Sequence, residues 1–201
     1  RSLGLILSEV WSEPFFRIGL IVKLILIIIL LPTIQQEWFV PFIVNWIENP
    51  IALPWSSHLS SGGDSLAFPY GPIMFISHLP STAMGWMVDT LFGTQYFANI
   101  GFKISLFGAD LLLLLLLLQT FEDHWKRILT YYWLSPLVLF ITYWHGQTDL
   151  IPVVLFIYAL TLIKRMNFKV AAVLFACSIA AKHSMIIGVP FVILYLWSHG
   201  G

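Results

Sequence analysis

The stretch TYWHGQTDLI, residues 142–151, places His145, Gln147 and Asp149 close together between two apolar runs. These three side chains can offer hydrogen bonds to a polar ligand, and Gly146 among them permits a tight turn or a close approach. Two acids stand earlier, Glu37 in QQEWFVPF and Asp64 in SSGGDSLAFPYGP. Either carboxylate, partly desolvated at an interface, is suited to take a proton as a general base; the alternative for each is a solvated loop acid. Lys182 and His183, in AKHS, end an apolar run. A point charge beside an adjustable donor suits a phosphate, and the alternative is a lysine snorkelling to an interface. His145 and Asp149 are spaced i, i+4 as metal ligands on a helix would be, but two ligands are not a site. A divalent cation held by loop carboxylates, with Asp149 or Asp64 contributing, stays open as the one cofactor alternative.

The elements that carry these residues are strongly apolar. The chain has 201 residues, 59% hydrophobic and 10% charged, with mean hydropathy +0.87. Soluble domains carry about 25% charged residues, so the composition points to an integral membrane protein. The formal net charge is zero, which argues against polybasic binding to nucleic acid. Cys177 is the only cysteine, so an internal disulfide and a cysteine zinc cage are both excluded.

A spanning helix needs roughly 20 apolar residues. The expected spans are 15–34, 100–121, 128–144, 150–164, 168–182 and 184–198, an all-α polytopic transmembrane bundle of about six helices. The stretch 69–92 contains Pro69, Pro72, Pro80, two glycines, His78 and Asp89, and reads as a broken, re-entrant or interfacial segment. Basic residues cluster at Arg1, Arg17 and Lys23, at Lys103, at Lys126 and Arg127, at Lys164, Arg165 and Lys169, and at Lys182. If 69–92 dips in and returns, EDHWKR (122–127) and IKRMNFK (163–169) become cytoplasmic together, as the positive-inside rule prefers. WHGQTD, the polar loop 35–68 and AKHS then meet at the extracytoplasmic face. Asp110, deep in KISLFGADLLLL, reads as a packing or site-positioning residue rather than a catalyst, with Lys103 two turns away on the same face.

The order of these features resembles the N-terminal half of GT-C glycosyltransferases. An acid follows the first span (QQEWFVPF), then an aromatic-proline stretch (AFPYGPIMF), an aspartate opening a leucine run (KISLFGADLLLL), a proline-containing helix (YYWLSPLVLFITYWHGQTDLIP) and a lysine ending a helix (AAKHSMIIGVP). The pattern is similar to GPI-anchor mannosyltransferases, dolichol-phosphate-glucose-dependent glucosyltransferases and bacterial polyprenyl-dependent relatives, over roughly 15–198. The resemblance implies transfer of a hexose from a polyprenyl-phosphate carrier to an acceptor hydroxyl, commonly with inversion. It implies Glu37 as the catalytic base, in place of the more usual aspartate, and Asp64 as a second acid before the FPYGP stretch that carries Tyr70. Lys182 and His183 would face the carrier phosphate, while His145, Gln147, Asp149 and Tyr70 would contact substrate. The implied partners are a polyprenyl-phosphate-linked sugar donor, a lipid- or glycan-linked acceptor and membrane lipids. Family members usually carry further spans, so the single domain 1–201 would be the N-terminal part of a larger fold, or would need a partner chain to complete it. Two other readings compete: a lipid or sugar-phosphate transporter, and a non-catalytic subunit of a membrane assembly.

Overall fold

The computed structural model describes residues 3–199, so Arg1 of the basic clusters lies outside the described residues. Proline sets many of the helix starts. Pro14 opens α2 (Pro14–Ile29), Pro41 lies in the first turn of α3 (Val40–Glu48), Pro54 opens α4 (Pro54–Ser60) and Pro72 opens α5 (Pro72–Phe92). A proline there costs nothing, because the first N–H groups of a helix have no intrahelical acceptor. Gly93 ends α5 in the left-handed conformation (φ 67°), and its N–H bonds back to the Asp89 carbonyl. Before α2 lies α1 (Leu3–Ser12); after α5 come α6 (Phe97–Thr120), α7 (Trp125–Ile128), α8 (Pro136–Val138), α9 (Leu150–Lys164), α10 (Phe168–Ala181) and α11 (Val189–His199). Three π-helical turns interrupt them, at Gln35–Phe39, Leu129–Trp133 and Leu139–Trp144. Among the described residues there is no strand.

Two helical hairpins form the body. α5 packs along α6, α9 along α10, and α6 joins the two by lying against α9. The first hairpin closes tightly because glycines face backbone: a Cβ on Gly85 would fall on the Phe97 carbonyl, and one on Gly101 on the Ser81 carbonyl. A core of Phe39, Phe42, Phe68, Met74, Phe102 and Leu106 fills the space between this hairpin and α3. A second core, around Phe16, Leu114, Leu118 and Trp133, fixes α2 to the far end of α6. There the Trp133 indole donates to the Phe16 carbonyl at 3.0 Å, passing where Gly19 has no side chain.

Charge is buried only where it is answered. Lys23 and Asp110, both fully buried, pair at 2.5 Å. Asp110 also accepts from the hydroxyls of Tyr132 (2.7 Å) and Tyr143 (2.6 Å), and the Lys23 ammonium lies 3.7 Å from the Trp133 ring centroid. Lys103, two turns before Asp110, instead donates to the Leu26 and Ile27 carbonyls at the end of α2. Asp89, near the end of α5, reaches with its carboxylate to the start of α6. It accepts from the backbone N–H groups of Tyr96 and Phe97 (2.9 Å each) and Ala98 (2.7 Å), and from the Thr94 hydroxyl.

This architecture corrects the expected six-span bundle and the multi-pass membrane placement drawn from it. Among the described residues one helix, α6, is long and apolar enough to cross a membrane by length and composition; its most apolar window has mean hydropathy 2.1. The other expected spans fall short of the roughly 20 residues required. The run 15–34 yields a 16-residue α2, the runs 150–164 and 168–182 yield helices of 15 and 14 residues, and α11 has 11. The run 128–144 is divided at Pro136 into two π-helical turns and a single short α-turn. The expected break over 69–92 is instead a continuous 21-residue helix that carries Pro80 inside it. The expected polar loop 35–68 is largely helical, forming a π-helical turn, α3 and α4.

Candidate functional site

Glu37 belongs to the π-helical turn Gln35–Phe39, whose wider winding divides its side chains between two sides. Gln35 and Phe39 point inward: Phe39 enters the core, and the Gln35 amide donates to the Asn99 carbonyl of α6 at 2.7 Å. Gln36, Glu37 and Trp38 are left exposed. Glu37 and Trp38 line an open surface cavity of about 420 Å³, whose other lining residues are Thr33, Ile34, Trp144 and His145. His145 directly follows the third π-helical turn, so both titratable groups of this cavity are set at irregular helix winding.

The loop 145–149 ties this cavity to a second cluster. Gly146 has φ 81°, and a Cβ there would lie 2.8 Å from Pro32 Cβ; only glycine lets the loop close against the segment that leads to Glu37. At the loop's end Asp149 pairs with Lys182, which follows α10. The Lys182 ammonium stands 5.7 Å from the Tyr70 ring centroid. Tyr70 is held there by its neighbour: the Gly71 N–H donates to the Ala181 carbonyl at 3.2 Å, and a Cβ on Gly71 would fall on the Ala180 carbonyl. The Asp149 and Lys182 side chains retain 42% and 27% of their exposure, so the pair is open to a competing anion.

Of the residues singled out from the sequence, the structure therefore joins Glu37 with His145, and Asp149 with Lys182 and Tyr70. The others stand apart. Asp64 is exposed and its carboxylate accepts from the Leu66 N–H at 2.8 Å, which makes it the organiser of a local turn. His183 is exposed at the start of a 3₁₀ turn, and Gln147 is half-buried. Among the described residues no three His, Cys, Asp or Glu side chains gather as a metal site. The two tryptophans of the cavity were missed, although the dipeptides Glu37-Trp38 and Trp144-His145 carried the signal: each titratable group has an indole as its neighbour.

A carboxylate and an imidazole facing one cavity can hold or move a proton at a ligand hydroxyl. A lysine beside a tyrosine can hold an anion. The tryptophans supply flat apolar walls. Comparison of the chain with protein-family models, with curated proteins and with solved structures finds no match.

Proposed function

We propose that the chain is a glycosyltransferase that moves a hexose from a polyprenyl-phosphate carrier to an acceptor hydroxyl. The observation that carries this reading is the pairing of two different chemistries at one loop: Glu37 with His145 at its start, and Lys182 with Asp149 at its end. In the proposed step the acceptor oxygen attacks the anomeric carbon and its proton passes to the Glu37 carboxylate. The bond from the anomeric carbon to the phosphate oxygen breaks, and its electron pair leaves with the polyprenyl phosphate. Lys182 stabilises the charge that grows on that phosphate. Attack opposite the leaving group inverts the anomeric centre.

Asp149 has a defined part in this scheme. It neutralises Lys182 while no donor is present, and it yields the ammonium to the phosphate. The exposed apolar side chains near the end of α2, Ile28 and Ile29, give a polyprenyl chain a surface close to the Thr33–Glu37 wall of the cavity. Asp64, turned into its own loop, is left out as a base. Asp110 is closed off by Lys23 and two tyrosines, which weighs against a transport pathway through it.

The test is sugar transfer from a panel of polyprenyl-phosphate-linked hexoses by the full chain, with Glu37→Gln and Asp64→Asn in parallel. Turnover by the parent, a loss of roughly 10² or more in Glu37→Gln with donor still bound, and near-parental turnover in Asp64→Asn support the proposal. No consumption of any donor, or equal turnover in Glu37→Gln and the parent, overturns it.

A further inference from the structure

On the other side of the π-helical turn lies a larger groove, of about 520 Å³, between α3, α5 and the start of α6. The backbone at Gln36-Glu37 divides the two: Gln36 lines this groove and Glu37 the smaller cavity. The size is within the roughly 300–1,000 Å³ of small-molecule clefts.

Its polar lining is dominated by amides. Side-chain amides converge from three elements: Gln36 from the π-helical turn, Asn45 and Asn49 from α3 and its end, Gln95 and Asn99 from α6 and its approach. Some of these are already committed. Asn45 donates to the Ser61 hydroxyl at 2.9 Å, and Asn99 donates to the Gln95 carbonyl at 2.9 Å while its own oxygen accepts from Gln35. Gln36, Asn49 and Gln95 have no side-chain partner among the described residues, and all three are exposed. Trp86 lies half-buried on the wall, its indole N–H donating to the Glu48 carboxylate at 3.2 Å.

The charges decide what fits. Among the described residues no lysine or arginine lines the groove, so a phosphate or another anion finds no counter-charge from them there. Of the two carboxylates, Asp89 is consumed by the start of α6, with both oxygens accepting backbone N–H groups. Glu48 keeps acceptor capacity beyond its one bond from Trp86. What remains is a set of groups that each donate and accept, one carboxylate acceptor and one indole, set among the apolar side chains of Val40, Pro41, Val44 and Ala98. Vicinal hydroxyls each donate and accept at close spacing, as an amide does, and the C–H faces of a pyranose pack on a flat aromatic ring.

We infer that this groove binds a neutral saccharide, with Gln36, Asn49 and Gln95 hydrogen-bonding its hydroxyls, Glu48 accepting from them and Trp86 packing against the ring. The site stands on its own lining and needs no transfer reaction. The experiment is saturation-transfer NMR on the purified full chain, without any sugar donor, using neutral glucose and mannose trisaccharides and, as the counter-probe, the same sugars carrying a uronic acid. Neutral trisaccharides are expected to receive saturation and the uronates to receive little. Asn49→Ala and Gln95→Ala, both exposed and therefore safe for folding, are each expected to weaken binding by roughly three- to ten-fold, the loss of about one hydrogen bond. Glu48→Gln is expected to weaken it similarly. No saturation of any neutral sugar, equal saturation of the uronates, or unchanged binding in all three variants overturns the assignment.

Discussion

The Lys23 ammonium and the Asp110 carboxylate meet at 2.5 Å with neither exposed to solvent, joining α2 to the middle of α6. Two tyrosine hydroxyls complete the shell of the carboxylate and the Trp133 ring covers the ammonium. Breaking such a pair from one side leaves a buried charge unanswered, which costs about 3–5 kcal/mol, whereas replacing both partners by apolar residues is often neutral. Lys23→Met and Asp110→Leu are each expected to unfold at clearly lower temperature than the parent, and the double variant to recover most of the loss. A thermal-unfolding double-mutant cycle reads this directly. Additive losses would mean that the two charges are solvated independently.

Asp89 has its carboxyl held below the usual aspartate range. Burial alone would raise it, and the hydrogen bonds from Thr94 and from the backbone of Ala98, Phe97 and Tyr96 outweigh that effect. A depressed carboxyl contributes stability that is present above its unfolded value and is lost as pH falls through its folded one. The parent is therefore expected to lose stability progressively below about pH 4. Asp89→Asn should be weaker by about 2 kcal/mol at neutral pH, because its amide would point donors at donors, and its acid-side decline should be flatter. Unfolding free energies measured from pH 7 down to pH 3 for both chains test this.

Asp149 restrains Lys182 in the proposed transfer scheme. Removing the carboxylate frees the ammonium for a phosphate, so Asp149→Asn should lower the KM for a polyprenyl-phosphate donor. The change expected from a partly exposed pair is roughly two- to five-fold. Lys182→Ala should raise the same KM. A Michaelis series over donor concentration separates the two, and a rise in KM for both variants would assign Asp149 to substrate contact instead.

Gly71 has no room for a methyl group, since a Cβ there falls on the Ala180 carbonyl. Gly71→Ala should cost about 1–3 kcal/mol by overpacking. It should also push Tyr70 away from Lys182, so hydrogen exchange of the residue-71 amide, which donates to the Ala181 carbonyl, is expected to rise well above that in α6. Uniform exchange across the chain would show that the contact is not the local tether it looks like.

Much of the candidate site was legible in the sequence as residue types, and little of the frame. Residue types in short stretches exposed Glu37, His145, Asp149 and Lys182, because polar groups inside apolar runs are conspicuous. Their grouping was not legible: Asp64 looked equivalent to Glu37 in the chain, yet among the described residues its carboxylate bonds within its own turn, to the Leu66 N–H. Helical spacing puts Lys103 two turns from Asp110 on the same face, but the partner of Asp110 is Lys23, 87 residues away, and no spacing rule reaches that far. Hydropathy counts apolar residues without regard to whether one helix contains them. Pro136 and the π-helical turns around it divide a run that looked like one span. Pro80 did the opposite, standing inside a helix that its presence seemed to forbid. Asp89 counted as a sign of breakage, when its work is to begin the next helix.

The end of α2 is held by Lys103 of α6 and by Tyr96, the residue just before that helix. Lys103 donates to the Leu26 and Ile27 carbonyls, and the Tyr96 hydroxyl donates to the Ile28 carbonyl at 2.5 Å. The two side chains converge on three successive carbonyls, and the Lys23–Asp110 pair, about one turn earlier in α2, supplies a second hold on the same helix. A rod pinned at one point can swivel; a rod pinned at two has its heading fixed. The chain leaves α2 on a bearing dictated by α6, and four residues after Thr33 that bearing has become the direction in which Glu37 faces.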